Sequence, residues 1–194
     1  DDASNRNAVS AHGRYINNDK NWLLSRCDQP SSKRMQQLPV DRVVSIASIY
    51  FNDLKVGDTL ASDDLEITVE EIVRFGRRYD PRPYHVDADA AAASIFGGLV
   101  ASGAQPLAYW NYLRFKAEEG LAQLATLSLD NVHFMSPVRP GDHLRLEAQL
   151  TTARRSLRKP DRGIMTFEHH LYNQDDAVVI EVNACLLVAR RPLD

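Results

Sequence analysis

The sequence predicts an α+β fold in which an antiparallel sheet wraps one buried helix, and three observations carry this. Residues 143–150, HLRLEAQL, alternate with period two, so Leu144, Leu146, Ala148 and Leu150 share one face and His143, Arg145, Glu147 and Gln149 the other. The same alternation returns in Met165, Phe167 and Leu171, and again from Val178 to Val188, around a NQDD turn at 173–176. Between about Ser102 and Glu119 the pattern turns helical and strongly apolar, with Leu107, Trp110, Leu113 and Phe115, as suits a buried central helix.

The elements follow in order. Residues 1–48 are polar, poorly periodic and carry seven Lys and Arg against five Asp and Glu. They read as an N-terminal extension of unknown role on a main domain over 49–194, where 16 basic residues face 21 acidic ones. KVGDTL, from Lys55, is a turn and strand start. TVEEIVRFGRRY begins with a Thr68 cap and Glu71 three residues later, the capping-box spacing, and Ile72, Val73, Phe75 and Tyr79 give that helix an apolar side. Asp87 is placed to cap a short alanine-rich helix, ADAAAASIF, that stops at Gly97 and Gly98. Neither internal repeats nor low-complexity tracts occur.

At 194 residues, 44% hydrophobic and 25% charged, the chain is long enough for one substantial core. A net charge of −3 gives no reason to expect nucleic acid or an anionic membrane. The uncharged stretch from Gly97 to Leu113 is interrupted by Gly103, Gln105, Pro106 and Asn111 and makes a poor membrane span. Cys27 and Cys185 are far apart and fit no metal-ligand spacing; with no export signal in view, a reducing, cytoplasmic location is expected, a single long-range bridge staying open.

One segment carries chemistry. DPRPYHVD, residues 80–87, sets two acids and a histidine among two prolines. Pro81 and Pro83 fix their own φ and disfavour helix at Asp80 and Arg82, which are expected to be extended. A stiff loop that holds a carboxylate and an imidazole at fixed separation suits acid–base work on one shared water. Spacing alone equally fits an ordinary turn with a satisfied histidine.

The surroundings add to that spacing. YDPRPYHVDADAAAASIFGGLVASGAQ resembles the hydratase motif of the MaoC-like dehydratase family, the (R)-specific enoyl-CoA hydratases of hotdog fold, with Asp80, Pro83, His85, Asp87, Phe96, Ala101 and Gly103 at matching places. LDNVHFMSPVRPGDHL and SLRKPDRGIMTFEHHLYNQDD are similar to its strand, Pro-Gly-Asp turn and later hairpin, so the likeness covers roughly 50–190. Two positions depart: Arg82 stands where the family usually has Asn, and Ser102 where it often has His.

The resemblance implies a single hotdog domain that adds water reversibly to a trans-2-enoyl-CoA, or dehydrates the (R)-3-hydroxyacyl-CoA, with a branched or dicarboxylic acyl group open. Asp80 and His85 would share the water, Asp80 accepting its proton. The backbone N–H of Gly103, at the start of the central helix beside Ser102, would meet the charge on the thioester oxygen. SGAQ has capping-box form through Ser102 and Gln105, while Pro106 leaves either Ser102 or Gly103 as the cap. Arg82 and Tyr84 are the substrate-binding candidates; for Arg82 a substrate carboxylate or a coenzyme A phosphate stands against a plain solvated arginine. Neither metal nor redox cofactor is expected, coenzyme A entering only as part of the substrate. A homodimer or dimer of dimers is implied. The alternatives are a hotdog thioesterase and a non-catalytic acyl-CoA-binding protein.

The remaining polar features read more plainly. RRSLRKPDR, 154–162, is a soluble basic hairpin tip with coenzyme A phosphates as its second reading. His169 and His170 are adjacent on a strand and point to opposite faces, so both read as structural, as does His133. Trp110 and Tyr112 read as core or dimer contacts.

Overall fold

The computed structural model describes residues 48–192. Cys27 and all but the last residue of the expected extension over 1–48 lie outside them.

The chain runs β1 (Thr59–Ala61), β2 (Leu65–Glu66), α1 (Val69–Tyr79), α2 (Pro83–Val86), α3 (Ala88–Ala92), α4 (Ala104–Ala117), β3 (Gln123–Phe134), β4 (His143–Arg155), β5 (Arg162–Tyr172) and β6 (Val178–Ala189). All six strands form one antiparallel sheet, ordered β1, β4, β5, β6, β3, with β2 also on β4. The period-two face is the core: Leu144, Leu146, Leu150, Phe167, Leu171, Ile180 and Leu186 are fully buried. The sheet wraps around α4, which lies against β4 and β6 and buries Trp110 and Leu113. This is the hotdog arrangement that the sequence predicts.

Thr68 caps α1 with both halves of the capping box, and Asp87 caps α3 through the Ala90 N–H at 2.8 Å. Three local expectations change. The alanine-rich helix ends at Ala92, well short of Gly97, because Ser94 Oγ donates to the Ala91 carbonyl and opens a turn there. Residues 83–86 form a helical turn rather than plain loop, since Pro83 occupies the first helical position, where a missing N–H costs nothing. Arg82 before it is extended, as expected. In α4, Gly103 is the cap and SGAQ forms no capping box, because the Ser102 hydroxyl is engaged by Asp80.

The histidines separate by face. His169 is fully buried, with Nε2 3.3 Å from Glu118 Oε1, whereas His170 lies on the outer face near Glu168 and Glu181. No helix among the described residues is long and apolar enough to cross a membrane.

Candidate active site

The last turn of α1 delivers the site loop. Asp80 donates its N–H to the Gly76 carbonyl at 2.9 Å, so the loop begins directly on the helix. A Cβ on Gly76 would stand 2.9 Å from the His85 carbonyl oxygen and 3.0 Å from its Cβ, so only glycine lets α2 pack this tightly. Two further bonds close the turn, Arg82 N–H to the Asp80 carbonyl at 2.8 Å and His85 N–H to the Arg82 carbonyl at 2.9 Å. Stiffness thus comes from the prolines and from these ties together.

His85 is buried and its tautomer is dictated by its neighbour. Nδ1 lies 2.7 Å from the Val100 carbonyl, which only accepts, so Nδ1 carries the hydrogen and Nε2 keeps its lone pair. That carbonyl is itself fixed: Val100 donates to the Tyr84 carbonyl and Ala101 to the Val138 carbonyl. Nε2 points at Asp80 Oδ2, 3.5 Å away. Two acceptors at that spacing are too far apart for a short direct bond and leave room for a shared hydrogen-bond donor.

Asp80 is anchored at both oxygens. Ser102, itself buried, donates Oγ–H to Oδ2 at 2.7 Å, and Arg82 pairs with Oδ1. The Ser102 hydrogen bond, then the nearby Arg82 guanidinium, hold the Asp80 carboxyl below the usual carboxylate value, although partial burial opposes them. Asp80 is therefore ionised at neutral pH. Arg82, with 61% of its side chain exposed, props this loop and still lines the cavity.

Above the pair lies a cavity of about 410 Å³, lined among others by Tyr84, Phe96, Gly103, Phe134 and Val138. Tyr84 stands edge-on to His85 and tilts against Phe96, forming one wall. At its floor α4 begins. Neither Gly103 N–H nor Ala104 N–H has a protein acceptor among the described residues, so both are open donors at a helix start. Gly103 has helical φ of −55°, and a Cβ there would meet nothing nearer than the Phe134 ring at 3.8 Å. Its lack of a side chain keeps cavity space open rather than relieving backbone strain.

The structure thus brings Asp80, His85, Arg82, Tyr84 and Gly103 around one cavity, with Ser102 buried behind Asp80. Sequence reasoning passed over Gly76, the Val100 carbonyl and the Phe134–Val138 wall. A glycine inside the α1 pattern signalled the first, whereas the other two follow only from tertiary packing. The basic hairpin 154–162 lies elsewhere: Arg155 opposes Gly163, which opposes Val188, which opposes Gln123, at the far end of the sheet from Phe134 and Ile180. Among the described residues no group of three His, Cys, Asp or Glu is placed to hold a metal ion.

Comparison with known proteins agrees with this geometry. Residues 53–171 match the MaoC-like domain family model. The chain is 28% identical over 144 residues to the uncharacterized protein YdeM of Bacillus subtilis, covering 72% of this chain and 98% of that one. The crystal structure of a MaoC-like dehydratase from Rhodospirillum rubrum superposes with a TM-score of 0.67 at 34% identity, covering 75% of this chain and 99% of that one. An (R)-hydratase from A. caviae involved in PHA biosynthesis shares the fold, with a TM-score of 0.57 at 23% identity over 72% of this chain and 98% of that one.

Proposed function

From the premise that the chain belongs to the MaoC-like domain family, we propose that it is a hydro-lyase adding water reversibly across the double bond of a trans-2-enoyl-CoA. One observation supports this reading above others: an ionised carboxylate and an imidazole lone pair converge 3.5 Å apart beside a cavity that the free amide of Gly103 also lines.

In the forward direction a water hydrogen-bonds to Asp80 Oδ2 and His85 Nε2. Its oxygen bonds to C3 while one proton passes to Nε2, whose lone pair faces the water because Nδ1 carries the hydrogen bonded to Val100. The electron pair of the double bond moves toward the thioester oxygen, where Gly103 N–H meets the charge. Imidazolium Nε2–H then returns a proton to C2, the oxygen's charge collapses back into the carbonyl, and the pair regains its starting state. Dehydration is the reverse. The Asp80 carboxylate orients the water and stabilises the imidazolium; the resemblance implies Asp80 as the first proton acceptor, and the unshared Nε2 lone pair supports His85 in that role.

The site is open on the β3 side, and we infer a homodimer. β3 is one of the sheet's edge strands, and Leu129 and Phe134 oppose Ala184 and Ile180, which point into the core. Leu129 and Phe134 therefore face the same side, yet are 43% and 53% exposed. A second copy on this edge covers them and walls the cavity beside Phe134.

A short enoyl-CoA, followed for loss of its conjugated double bond and release of thiol, tests the reaction. Hydration without thiol release, abolished in Asp80→Asn, supports the proposal. Thiol release replaces it with a thioesterase, and neither signal over a range of chain lengths leaves an acyl-CoA-binding protein.

A further inference from the structure

The outer face of α1 carries Arg74, Arg77 and Arg78 at helical spacings of three and four, opposite the buried Ile72 and Gly76. All three are exposed, and none forms an ion pair among the described residues, although the chain as a whole is acidic. Together with Val73 and a single acid, Glu70, they line a groove of about 410 Å³. Neutralising the carbonyl end of α1 accounts for Arg77 and Arg78. It accounts neither for Arg74, a turn earlier, nor for the groove.

Position relative to the site gives the face a use. α1 runs directly into Asp80, and Arg74 lies six residues before it, roughly 9 Å along the helix axis. An extended pantetheine arm spans more than that, so the separation along α1 is within the length of the arm that joins a thioester to its phosphates. Guanidinium forks suit phosphate oxygens geometrically as well as by charge. The other basic cluster, 154–162, is at the far end of the same chain's sheet.

We propose that Arg74, Arg77 and Arg78 on α1 form the subsite for the phosphates of coenzyme A. This rests on the enoyl-CoA reading above. The groove grips the nucleotide end of the thioester, while Arg82 stays with Asp80.

The test uses the full chain and its Arg74→Gln/Arg77→Gln/Arg78→Gln variant, all exposed positions at which glutamine preserves the helix. KM for a crotonyl-CoA ester rises roughly tenfold or more with kcat unchanged, as loss of charge-assisted bonds predicts. The salt dependence of KM flattens with it. The crotonyl thioester of N-acetylcysteamine, which has no phosphate, retains wild-type kcat/KM in the variant and so also controls for folding. Equal KM for the CoA ester in both proteins overturns the proposal, as does a rise confined to a carrier-protein-bound substrate. If the wild type hydrates neither ester, the hydratase reading has failed separately. Calorimetric titration with free coenzyme A then decides: roughly tenfold weaker binding in the variant supports the arginine face, and equal binding overturns it.

Discussion

Ser102 Oγ donates to Asp80 Oδ2 at 2.7 Å across 22 residues of sequence, and this bond is the largest of the causes that hold the Asp80 carboxyl low. Ser102→Ala removes it and lets the carboxyl rise toward its ordinary value. The acid limb of the pH–rate profile moves to higher pH wherever Asp80 governs it, and kcat/KM at neutral pH falls roughly tenfold. Stability carries the same sign. A depressed carboxyl contributes fully above its unfolded value, about 3.9, and loses that contribution as pH falls through its folded value. Urea unfolding should therefore separate wild type from Ser102→Ala near pH 7 and bring them together in strong acid.

How much of this was legible in the sequence follows from which forces act locally. Prolines and a helix start are local features, so a stiff loop at Asp80–His85 and a helix beginning near Gly103 were legible, while their roles came from the resemblance; alternation exposed β4, β5 and β6 because one face of each is core. The Ser102–Asp80 bond, the Val100 carbonyl and the Phe134–Val138 wall join segments far apart in sequence, where no local preference speaks. SGAQ misled for the same reason: its capping-box form was real, but a carboxylate 22 residues away took the serine hydroxyl. Pro83 keeps Arg82 extended as its sequence context predicts, and at the first helical position it also starts the short α2 turn, which the loop reading of DPRPYHVD passed over.

His85→Asn separates catalysis from scaffold. An asparagine amide retains an N–H donor for the Val100 carbonyl but offers no counterpart to Nε2. Thermal unfolding stays close to wild type while kcat drops about 10²- to 10⁴-fold. Asp80→Asn gives a similar loss. A His85→Asn protein that keeps wild-type kcat would remove His85 from the chemistry.

Two glycines of the site should respond oppositely to alanine. At Gly103 the backbone is already helical and the added methyl meets only the Phe134 ring at 3.8 Å, so Gly103→Ala folds as well as wild type. That methyl occupies space the thioester oxygen needs beside the free amide, and kcat falls by about 10²-fold. At Gly76 the methyl collides with the His85 backbone at 2.9 Å, so Gly76→Ala costs about 1–3 kcal/mol of stability together with activity. Melting temperatures and kcat measured side by side distinguish the two; equal melting losses in both variants would contradict the assignment.

The β3 edge yields the last prediction. Leu129 opposes Ala184 on the core side of the sheet, yet it is 43% exposed, and among the described residues no strand lies beyond β3. If a second copy supplies that cover, Leu129→Glu places a charge in a desolvated contact, which is strongly unfavourable without a partner. The fold of the single chain tolerates it, since the position is only half covered there. Sedimentation should then show a monomer for Leu129→Glu and a dimer or larger for wild type, with far-UV circular dichroism unchanged. Activity falls in parallel, because Phe134 lies on the same strand and walls the cavity. A wild-type monomer with full activity would place the edge outside any interface and leave the cavity complete within one chain.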